Sequence, residues 1–405
     1  MAENKNHICL FPFYAFYYRG DDHKIGACCM QKPMLSSLED GDIKSWWTGP
    51  DMQKIRQQFL DGKWPDSCKI CQQQEKAGVE TIRDKWHRQF LLKFGANYND
   101  IDVVNGNSTG QPFFIDYRPD NLCNLSCTMC NPGASSKIEQ LARDLNLSIW
   151  KLPKENSFEQ NDNVKLIMSE HTKGIKINGG EPTINSKIKD IYQYAIDKGL
   201  AEDIHLQFST NFTNFNKTFN LLSKFKRSSV TASLDGTRNT YEYIRSPANW
   251  KSVKNNILKY KKLMMSDPKK YFFSITSVWF TATAFTLQDW LPEILDFLDE
   301  HFPKSSLTIN QCQTPHFQNL SVIPTEYRQE IYDTIERIRP RYPHWKYVFD
   351  ELKFGLDWFQ FDPKNLKQWQ ELTPKTDAYK KTDITKLHPR YQDLLNYKLI
   401  DIKNV

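Results

Sequence analysis

The pattern of apolar and polar positions changes character near residue 113. From Phe113 onward, short apolar stretches alternate with amphipathic stretches, which predicts strands separated by helices. The predicted strands are FFIDYR, GIKING, IHLQFST, SVTASLD, YFFSITSVWF and SLTINQ, and the helices include SKIEQLARDL, KIKDIYQYAIDKG and LQDWLPEILDFLDEHF. Such alternation is typical of a parallel sheet. We therefore expect an α/β fold, either an open sheet or a partial (β/α)6 barrel of parallel strands.

The flanking segments have different patterns. ICLFPFYAFYYRGDDHKIGACCMQ predicts a small cysteine-rich hairpin with its turn at RGDD and a second strand ending in Cys28 and Cys29. Residues 72–95 have the spacing of one amphipathic helix closed by Gly95, followed by an Asn-, Asp- and Gly-rich linker. After Pro324 a helical extension ends in the aromatic stretch DELKFGLDWFQFDPKNLKQW, which we interpret as core rather than a substrate groove. The predicted domains are 1–80, 81–111, 112–320 and 321–405.

Composition sets mild limits on function. The 405 residues carry a net charge of +6 and no stripe in which Lys/Arg and aromatic residues interleave, so no nucleic-acid partner is expected. There is no apolar run long enough for a membrane helix and no secretion signal pattern. We therefore expect a cytoplasmic protein with no membrane partner, in which cysteines stay reduced and bind metals rather than pair.

Three of the nine cysteines lie in CNLSCTMC, at spacing C-x3-C-x2-C. Cys123, Cys127 and Cys130 are too close together for a disulfide framework, and no nearby histidine completes a zinc tetrahedron. A structural metal site uses four protein ligands, whereas a catalytic site keeps one position open. The triplet therefore predicts an open metal site, and the alternative is a zinc site completed from elsewhere in the chain.

The next predicted strands end in small and polar residues. In parallel β/α folds, ligands bind at the carboxyl ends of the strands. Gly179, Gly180 and Glu181 of GGEP follow the second strand, where glycines let the backbone approach a ligand and the glutamate offers a carboxylate. Polar residues suited to a ribose-like polyol end the third and fourth strands: Ser209, Asn211, Ser233 and Asp235. Each motif alone is an ordinary turn, but their order at strand ends predicts a binding site.

The triplet, GGEP, STN, SLDG and the downstream YEYIRSPANW together resemble the radical S-adenosylmethionine (SAM) superfamily, over about residues 112–320. The resemblance implies that the three thiolates hold a 4Fe–4S cluster whose fourth iron chelates SAM. It also implies that an electron from the cluster cleaves SAM to methionine and a 5′-deoxyadenosyl radical, with flavodoxin or ferredoxin as the electron donor. The implied SAM contacts are Met129 near adenine, Gly179, Gly180 and Glu181 at the amine, Ser209, Asn211, Ser233 and Asp235 near the ribose, and Arg245 at the carboxylate.

Five cysteines precede the predicted barrel: Cys9, Cys28, Cys29, Cys68 and Cys71. Four of these thiols can hold an iron–sulfur cluster or a zinc, or can remain unmetallated in the core. Because adjacent strand residues point to opposite faces, we expect only one of Cys28 and Cys29 to be a ligand and prefer Cys28. CLFPF, RGDD, ACC and WPDSCKIC resemble the twitch/SPASM auxiliary-cluster segments of radical SAM enzymes, which implies a second 4Fe–4S cluster. In the better-known members that segment follows the barrel.

The resemblance implies a radical SAM oxidoreductase or transferase-type enzyme that modifies a peptide or protein substrate, by epimerisation or by a cross-link or oxidation. The alternatives are a small sugar or nucleoside-type substrate and, from another class, a non-catalytic binding protein stabilised by zinc. Cys312 follows the sixth predicted strand, and radical SAM epimerases of peptides use a lone cysteine as hydrogen-atom donor. Cys312 is therefore our candidate catalytic residue, with a packing role as the alternative.

Overall fold

The computed structural model describes residues 8–20, 24–34, 36–37, 43–76, 81–96, 101, 112–153, 165, 168–215 and 217–399. The chain divides into two compact units, each built from separate segments. Unit 1 comprises Met1–Asn121, Pro153–Phe208 and Asn216–Ser228, and unit 2 comprises Leu122–Leu152, Ser209–Phe215 and Ser229–Val405. The domain boundaries expected at 80, 111 and 320 remain predictions.

Unit 1 is built around parallel strands. The strands are β1 Ala15–Arg19, β2 Lys24–Gly26, β3 Ser36–Ser37, β4 Phe114–Arg118, β5 Gly174–Ile177 and β6 His205–Thr210, of which the last two residues belong to unit 2. Their order is β3-β2-β1-β4-β5-β6, with β1, β4, β5 and β6 paired in parallel and β2 and β3 added antiparallel. The helices are Phe11–Tyr14, Ile43–Thr48, Pro50–Leu60, Lys69–Lys76, Ile82–Lys93, Ser186–Asp197 and Lys217–Leu221.

The parallel register aligns side chains in rows across β1, β4, β5 and β6. The first row is Ala15, Phe114, Gly174 and His205, and the second row is Tyr17, Asp116, Lys176 and Gln207. Because side chains alternate between faces along a strand, both rows lie on the same face of the sheet. This face changes from apolar to polar within two residues of each strand.

An aromatic plug of Trp86, Phe90 and Phe94 covers the first row. Trp86 and Phe90 lie with ring centroids 4.6 and 5.5 Å from that of Phe114. Gly174 makes room for the plug, since an added Cβ would lie 2.6 Å from Phe114 and 2.8 Å from Phe94. The apolar end of the face is therefore filled by side chains.

The single helix predicted over residues 72–95 is wrong. One helix ends at Lys76 and another begins at Ile82, with residues 77–80 outside the described part of the chain. The Thr81 hydroxyl accepts from the Asp84 N–H at 3.3 Å, and the Asp84 carboxylate accepts from the Thr81 N–H at 3.0 Å. This capping box begins a new helix.

The predicted hairpin is present as β1 and β2, although residues 21–23 of its turn lie outside the described residues. The helix Phe11–Tyr14 occupies the first part of the apolar stretch that was predicted as strand. Because β2 ends at Gly26, Cys28 and Cys29 lie in the turn after it. Strand alternation therefore does not distinguish them. Most of the predicted linker also lies outside the described residues.

Unit 2 contains the remaining predicted strands and the helical extension. Its strands are β7 Arg227–Ser233, which begins in the last residues of unit 1, β8 Tyr271–Trp279 and β9 Ser306–Gln311, in the order β7-β8-β9 with β8 and β9 parallel. The helices are Ser136–Asp144, Arg238–Ile244, Trp250–Ser266, Thr281–Ala284, Leu287–His301, Thr325–Ile338, Lys346–Trp358, Pro363–Lys380 and Pro389–Leu395. The predicted α/β class with parallel strands and a helical C-terminal part is confirmed.

The helical extension packs against β8 and β9. The indole of Trp279 donates to the Leu352 carbonyl at 3.1 Å, and Arg328 donates to the carbonyls of Ile323, Leu356 and Leu320 at 2.7–3.0 Å. The aromatic stretch, expected to be core, is only partly so: Trp369 is fully buried, whereas Phe354, Phe359 and Phe361 are half-buried and Trp358 is 51% exposed. Within the described residues, no helix has the length and apolar character needed to cross a membrane.

We predict that Phe90→Ala lowers the free energy of unfolding by about 3–5 kcal/mol, because Phe90 is fully buried in the aromatic plug. The matched control is Leu92→Ala on the same helix, where Leu92 is 83% exposed and the expected loss is within about 0.5 kcal/mol. Urea denaturation measures both variants. Equal losses in the free energy of unfolding of the two variants would contradict a stabilising role for the aromatic plug.

Candidate functional site

The triplet lies in a loop of unit 2 that pairs with residues 244–246. Two backbone N–H groups of the loop donate to carbonyls of that segment at 2.8 Å: Ser126 to Ser246 and Thr128 to Ile244. The hydroxyls of the same two loop residues donate to the same carbonyls at 3.1 and 3.3 Å. These two pairs of hydrogen bonds, on either side of Cys127, place it opposite Arg245.

Arg245 joins the thiol of Cys127 to a buried carboxylate. Its Nη1 donates to Cys127 Sγ at 3.7 Å, and its Nη2 lies 2.5 Å from the carboxylate of Asp235. Asp235 is fully buried and also accepts from the Val278 N–H at 2.6 Å. Burial acts to lower the pKa of Arg245, but Asp235 and Cys127 raise it overall. The guanidinium is therefore a fixed positive charge at the triplet.

The thiols of the triplet lie close enough to influence one another. Burial raises the pKa of Cys130, and the nearby Cys127 and Cys123 raise it further. Burial also raises the pKa of Cys127, while Arg245 opposes that shift. Because metals bind thiolates, loading this site must release protons, and the nearby cation favours that release.

A second cation reaches the loop from the C-terminal helix Pro363–Lys380. The Lys380 ammonium donates to the Thr128 hydroxyl at 3.1 Å and lies 5.3 Å from the centre of the Tyr243 ring. Burial lowers the pKa of Lys380, and the nearby Asp377 and Cys127 oppose that shift. On the same helix, the Tyr379 hydroxyl donates to the Asp144 carboxylate at 2.5 Å. The helical extension is thus part of the site.

The polar residues predicted at the ends of the third and fourth strands fall into two groups. Asn211 and Asp235 are buried, and Asn211 donates to the side chain of Asn124 at 3.0 Å. Ser209 and Ser233 are half-buried, as is Met129 in the triplet loop. The two serines therefore have side chains that a ligand can contact, whereas Asn211 ties the end of its strand to the triplet loop.

In unit 1, GGEP forms the tight turn expected of its glycines. Gly179 and Gly180 have φ angles of +86° and +26°, and an added Cβ at Gly179 would lie 2.8 Å from the carbonyl oxygen of Asp120. The Glu181 side chain is 2% exposed, and its carboxylate accepts from the Thr183 N–H at 3.0 Å and from the Thr183 hydroxyl at 2.8 Å. As it stands, the Glu181 carboxylate faces inward.

Four of the N-terminal thiols line one cavity of unit 1: Cys9, Cys28, Cys68 and Cys71. Its other walls include Phe11, Phe59 and Trp64 and the guanidinium of Arg83. Cys29 is not among the lining residues and instead interacts electrostatically with Asp116. This arrangement is consistent with the preference for Cys28 over Cys29, which stays a prediction, although both lie in a turn.

These N-terminal thiols are protonated as they stand. Burial raises the pKa of Cys68 and of Cys71 to about 11, and it raises the pKa of Cys9 and Cys28 well above the usual value. In the part of the chain that the structure describes, no three Cys, His, Asp or Glu side chains converge to hold one metal ion.

The residues at both places fit an iron–sulfur cluster. The triplet supplies three thiols with two cations beside them, which compensates the negative charge of thiolate ligands. The N-terminal cavity supplies four thiols within mainly apolar walls and one cation. The triplet is thus suited to a cluster with an open iron, and the cavity to a cluster with a full set of protein ligands.

The sequence pattern of the Radical SAM superfamily matches residues 117–278. This part of the chain is similar to a radical SAM domain. The triplet, GGEP and Arg245 lie inside this domain, whereas the N-terminal thiols and Cys312 lie outside it. A radical SAM domain implies SAM and a 4Fe–4S cluster as cofactors, and the residues of the triplet fit that cluster.

The chain also has distant similarity to solved structures. Native anSMEcpe with bound AdoMet and Cp18Cys peptide is 15% identical, with 57% of this chain and 61% of that chain covered and a TM-score of 0.34. SuiB of Streptococcus suis bound to S-adenosylmethionine is 16% identical, with 72% and 64% covered and a TM-score of 0.34. The chain thus spans less than two thirds of these structures. Similarity at this level does not establish a shared activity, and no curated protein matches the chain.

Two contacts of the radical SAM site were not predicted. Asn124 lies inside the triplet motif, and its bond to Asn211 becomes visible only when the end of β6 meets the loop. Lys380 is 252 residues from Thr128 and belongs to no motif. No signal in the sequence connects that lysine to the triplet.

We predict that Lys380→Met shifts the reduction potential of the triplet's cluster to more negative values, on the order of tens of millivolts. Removing a nearby positive charge disfavours the reduced, more negative form. The measurement is a redox titration of reconstituted protein, followed through the EPR signal that changes when SAM is added.

Two variants control for loss of packing. Lys380→Arg keeps the charge and should keep the potential, and Lys375→Met removes an exposed lysine of the same helix. An unchanged potential in Lys380→Met, with iron content equal to wild type, would show that this charge does not act on the cluster.

Proposed function

We propose that this chain is a radical SAM enzyme that modifies a peptide or protein substrate, by epimerisation or by a cross-link or oxidation. The observation that carries the proposal is the loop of three thiols held opposite Arg245 inside a radical SAM domain. A site of this kind leaves one iron of the cluster without a protein ligand. The preference for a peptide rests on the twitch/SPASM-like spacing of the N-terminal cysteines.

The residues of the chain have three roles in this proposal. When bound, the cluster and SAM would supply a 5′-deoxyadenosyl radical. The triplet would hold the cluster, while Arg245 and Lys380 donate to residues of the loop and place positive charge beside it. The half-buried hydroxyls of Ser209 and Ser233 are the proposed ribose contacts, with Met129 near the adenine and the GGEP turn at the amine.

The N-terminal thiols form the proposed second site. Cys9, Cys28, Cys68 and Cys71 would hold an auxiliary 4Fe–4S cluster, which exchanges an electron with the substrate or ligates it. A low-potential protein such as flavodoxin or ferredoxin would supply electrons from outside. The alternative is a structural zinc in the same cavity. Measuring the iron and zinc content of the protein distinguishes the two.

Cys312 is the proposed hydrogen-atom donor. It directly follows β9, its N–H donates to the Trp279 carbonyl at 3.2 Å, and its side chain is 4% exposed. Burial, with a further contribution from Asp235, raises its pKa to about 12, so the thiol stays protonated near neutral pH, which is the form that a donor needs. Donation would leave a thiyl radical, which the low-potential electron donor and a proton would return to the thiol.

We predict that anaerobically reconstituted protein carries about eight irons and releases 5′-deoxyadenosine from SAM under reduction. Cys127→Ala should abolish this release, because loss of one of three ligands loses the cluster. Cys68→Ala with Cys71→Ala should remove about half of the iron and leave SAM cleavage detectable, because the triplet binds independently.

Two results would overturn this assignment. One is zinc in place of iron without any SAM cleavage, which would favour a zinc-stabilised binding protein. The other is release of 5′-deoxyadenosine by Cys127→Ala at the wild-type rate. Loss of all iron from the folded Cys68/Cys71 double variant would contradict two separate sites.

We predict that, in deuterated water and with the native substrate, the wild-type product gains one deuteron. Cys312→Ala should lose that product and retain SAM cleavage, because only the final hydrogen transfer is removed. Mass spectrometry of the product measures both outcomes. Full product formation by Cys312→Ala would leave Cys312 as a packing residue.

A further inference from the structure

The second row of unit 1 is polar on a sheet whose other face is apolar. On the opposite face, alternate residues of the same strands are almost fully buried: Ile115, Tyr117, Ile175, Ile177, Leu206 and Phe208. Parallel strands that are packed on both faces are usually apolar on both. Tyr17, Asp116, Lys176 and Gln207 depart from that pattern directly above the aromatic plug, where the Lys176 ammonium lies 5.2 Å from the Trp86 ring centre.

The positive charges on this face exceed the negative ones. Asp116 accepts from Lys176 at 3.4 Å and from Asn178 at 3.1 Å, and it also interacts electrostatically with Arg118. Arg118, the last residue of β4, lies on the same face over the Tyr17 ring at 5.5 Å. Among the described residues, no carboxylate lies within ion-pair distance of Arg118. Arg118 is half-buried, and a charge that is partly withdrawn from water is stabilised by a paired anion.

Two buried donors on this face have no acceptor within the described residues. They are Nε of Arg118, on β4, and Nε2 of Gln207, on β6. Twelve other buried polar side-chain atoms of the described residues also have no hydrogen-bond partner, but these two are on the same face of one sheet. A buried donor without a partner costs about 1–3 kcal/mol, so a ligand that supplies acceptors here would be stabilised. Both are N–H groups, and both therefore require an acceptor.

We propose that this face binds the substrate and that the substrate carries a carboxylate, held by Arg118, and a carbonyl group, held by Gln207. Neighbouring strands are about 4.8 Å apart, so β4 and β6 are about 10 Å apart across β5. A peptide with an acidic side chain can span that distance, because an extended chain covers about 3.3 Å per residue. The inference deepens the proposed function and rests on it for the peptide nature of the substrate.

The carboxylate of SAM has the same chemistry, so the test must separate the two sources. Arg118 ends β4, and carboxyl ends of parallel strands are where both cofactor and substrate bind in such folds. Binding of SAM and binding of peptide are therefore measured separately on the same variants.

In the experiment, peptides that bind are selected from a library of random short peptides. The target is reconstituted protein, kept under anaerobic conditions with SAM present. Wild type should enrich peptides containing Asp or Glu, and Arg118→Gln should lower that enrichment roughly tenfold, because a charge-assisted hydrogen bond is lost. Arg118→Lys keeps the charge and should keep part of the preference. Arg227→Gln, at an exposed arginine of the same unit, is the matched control.

A selected peptide and its Glu→Gln or Asp→Asn form are then titrated against each variant. Gln207→Leu should weaken both forms equally, because Gln207 is assigned to a carbonyl rather than to the carboxylate. Equal acidic enrichment by wild type and Arg118→Gln would overturn the proposal, as would the absence of acidic enrichment. An equal loss of SAM affinity in Arg118→Gln would assign the carboxylate to SAM and overturn the substrate role.

These outcomes are independent of the test of the proposed function. Release of 5′-deoxyadenosine needs no peptide, so its absence would reject the radical SAM activity whatever the library shows. Conversely, SAM cleavage without any acidic preference would reject only the assignment of Arg118 and Gln207.

Discussion

The parallel register of β1, β4, β5 and β6 is the constraint on which unit 1 depends. Residues at equivalent positions of the four strands are paired side by side. Their side chains therefore lie in one row across the same face of the sheet. A shift of one residue in any strand would exchange its polar and apolar faces. The aromatic plug and the polar second row exist because the register holds over all four strands.

Unit 2 depends on a different constraint, because it holds buried charged side chains next to the thiols of the triplet. Arg245 and Asp235 are both almost fully buried, and each would be costly alone. Their mutual contact, together with the Val278 N–H and the Cys127 thiol, gives each charged group a partner. The cation is thereby held in place before any cofactor binds, which is a form of preorganisation.

Much of the fold was predictable, because strand patterns and helix spacing are local. The six strands and the helix Thr325–Ile338 follow directly from periodicity. The break before Ile82 was missed because the helical spacing continues on both sides of it, and only the capping pair of Thr81 and Asp84 marks the new start. The preference for Cys28 over Cys29 stays a prediction, and strand alternation gives no reason for it, since both residues lie in a turn.

The site was predictable where its chemistry is carried by adjacent residues. Three cysteines in eight positions are a strong local signal, whereas Lys380 has no local signal at all. Arg118 was read only as part of a strand, because an unpaired charge becomes apparent only when its neighbours in space are known. Contacts between distant segments are decided by tertiary packing, which periodicity does not encode.

The contact between Lys380 and Thr128 also has a consequence for biogenesis. The ribosome makes the triplet 252 residues before the lysine that completes its surroundings. During synthesis the three thiols emerge early and remain without that cation until the helix Pro363–Lys380 has been made and has folded. A cluster inserted before that point would lack the charge of Lys380, and thiols without a cluster are open to oxidation.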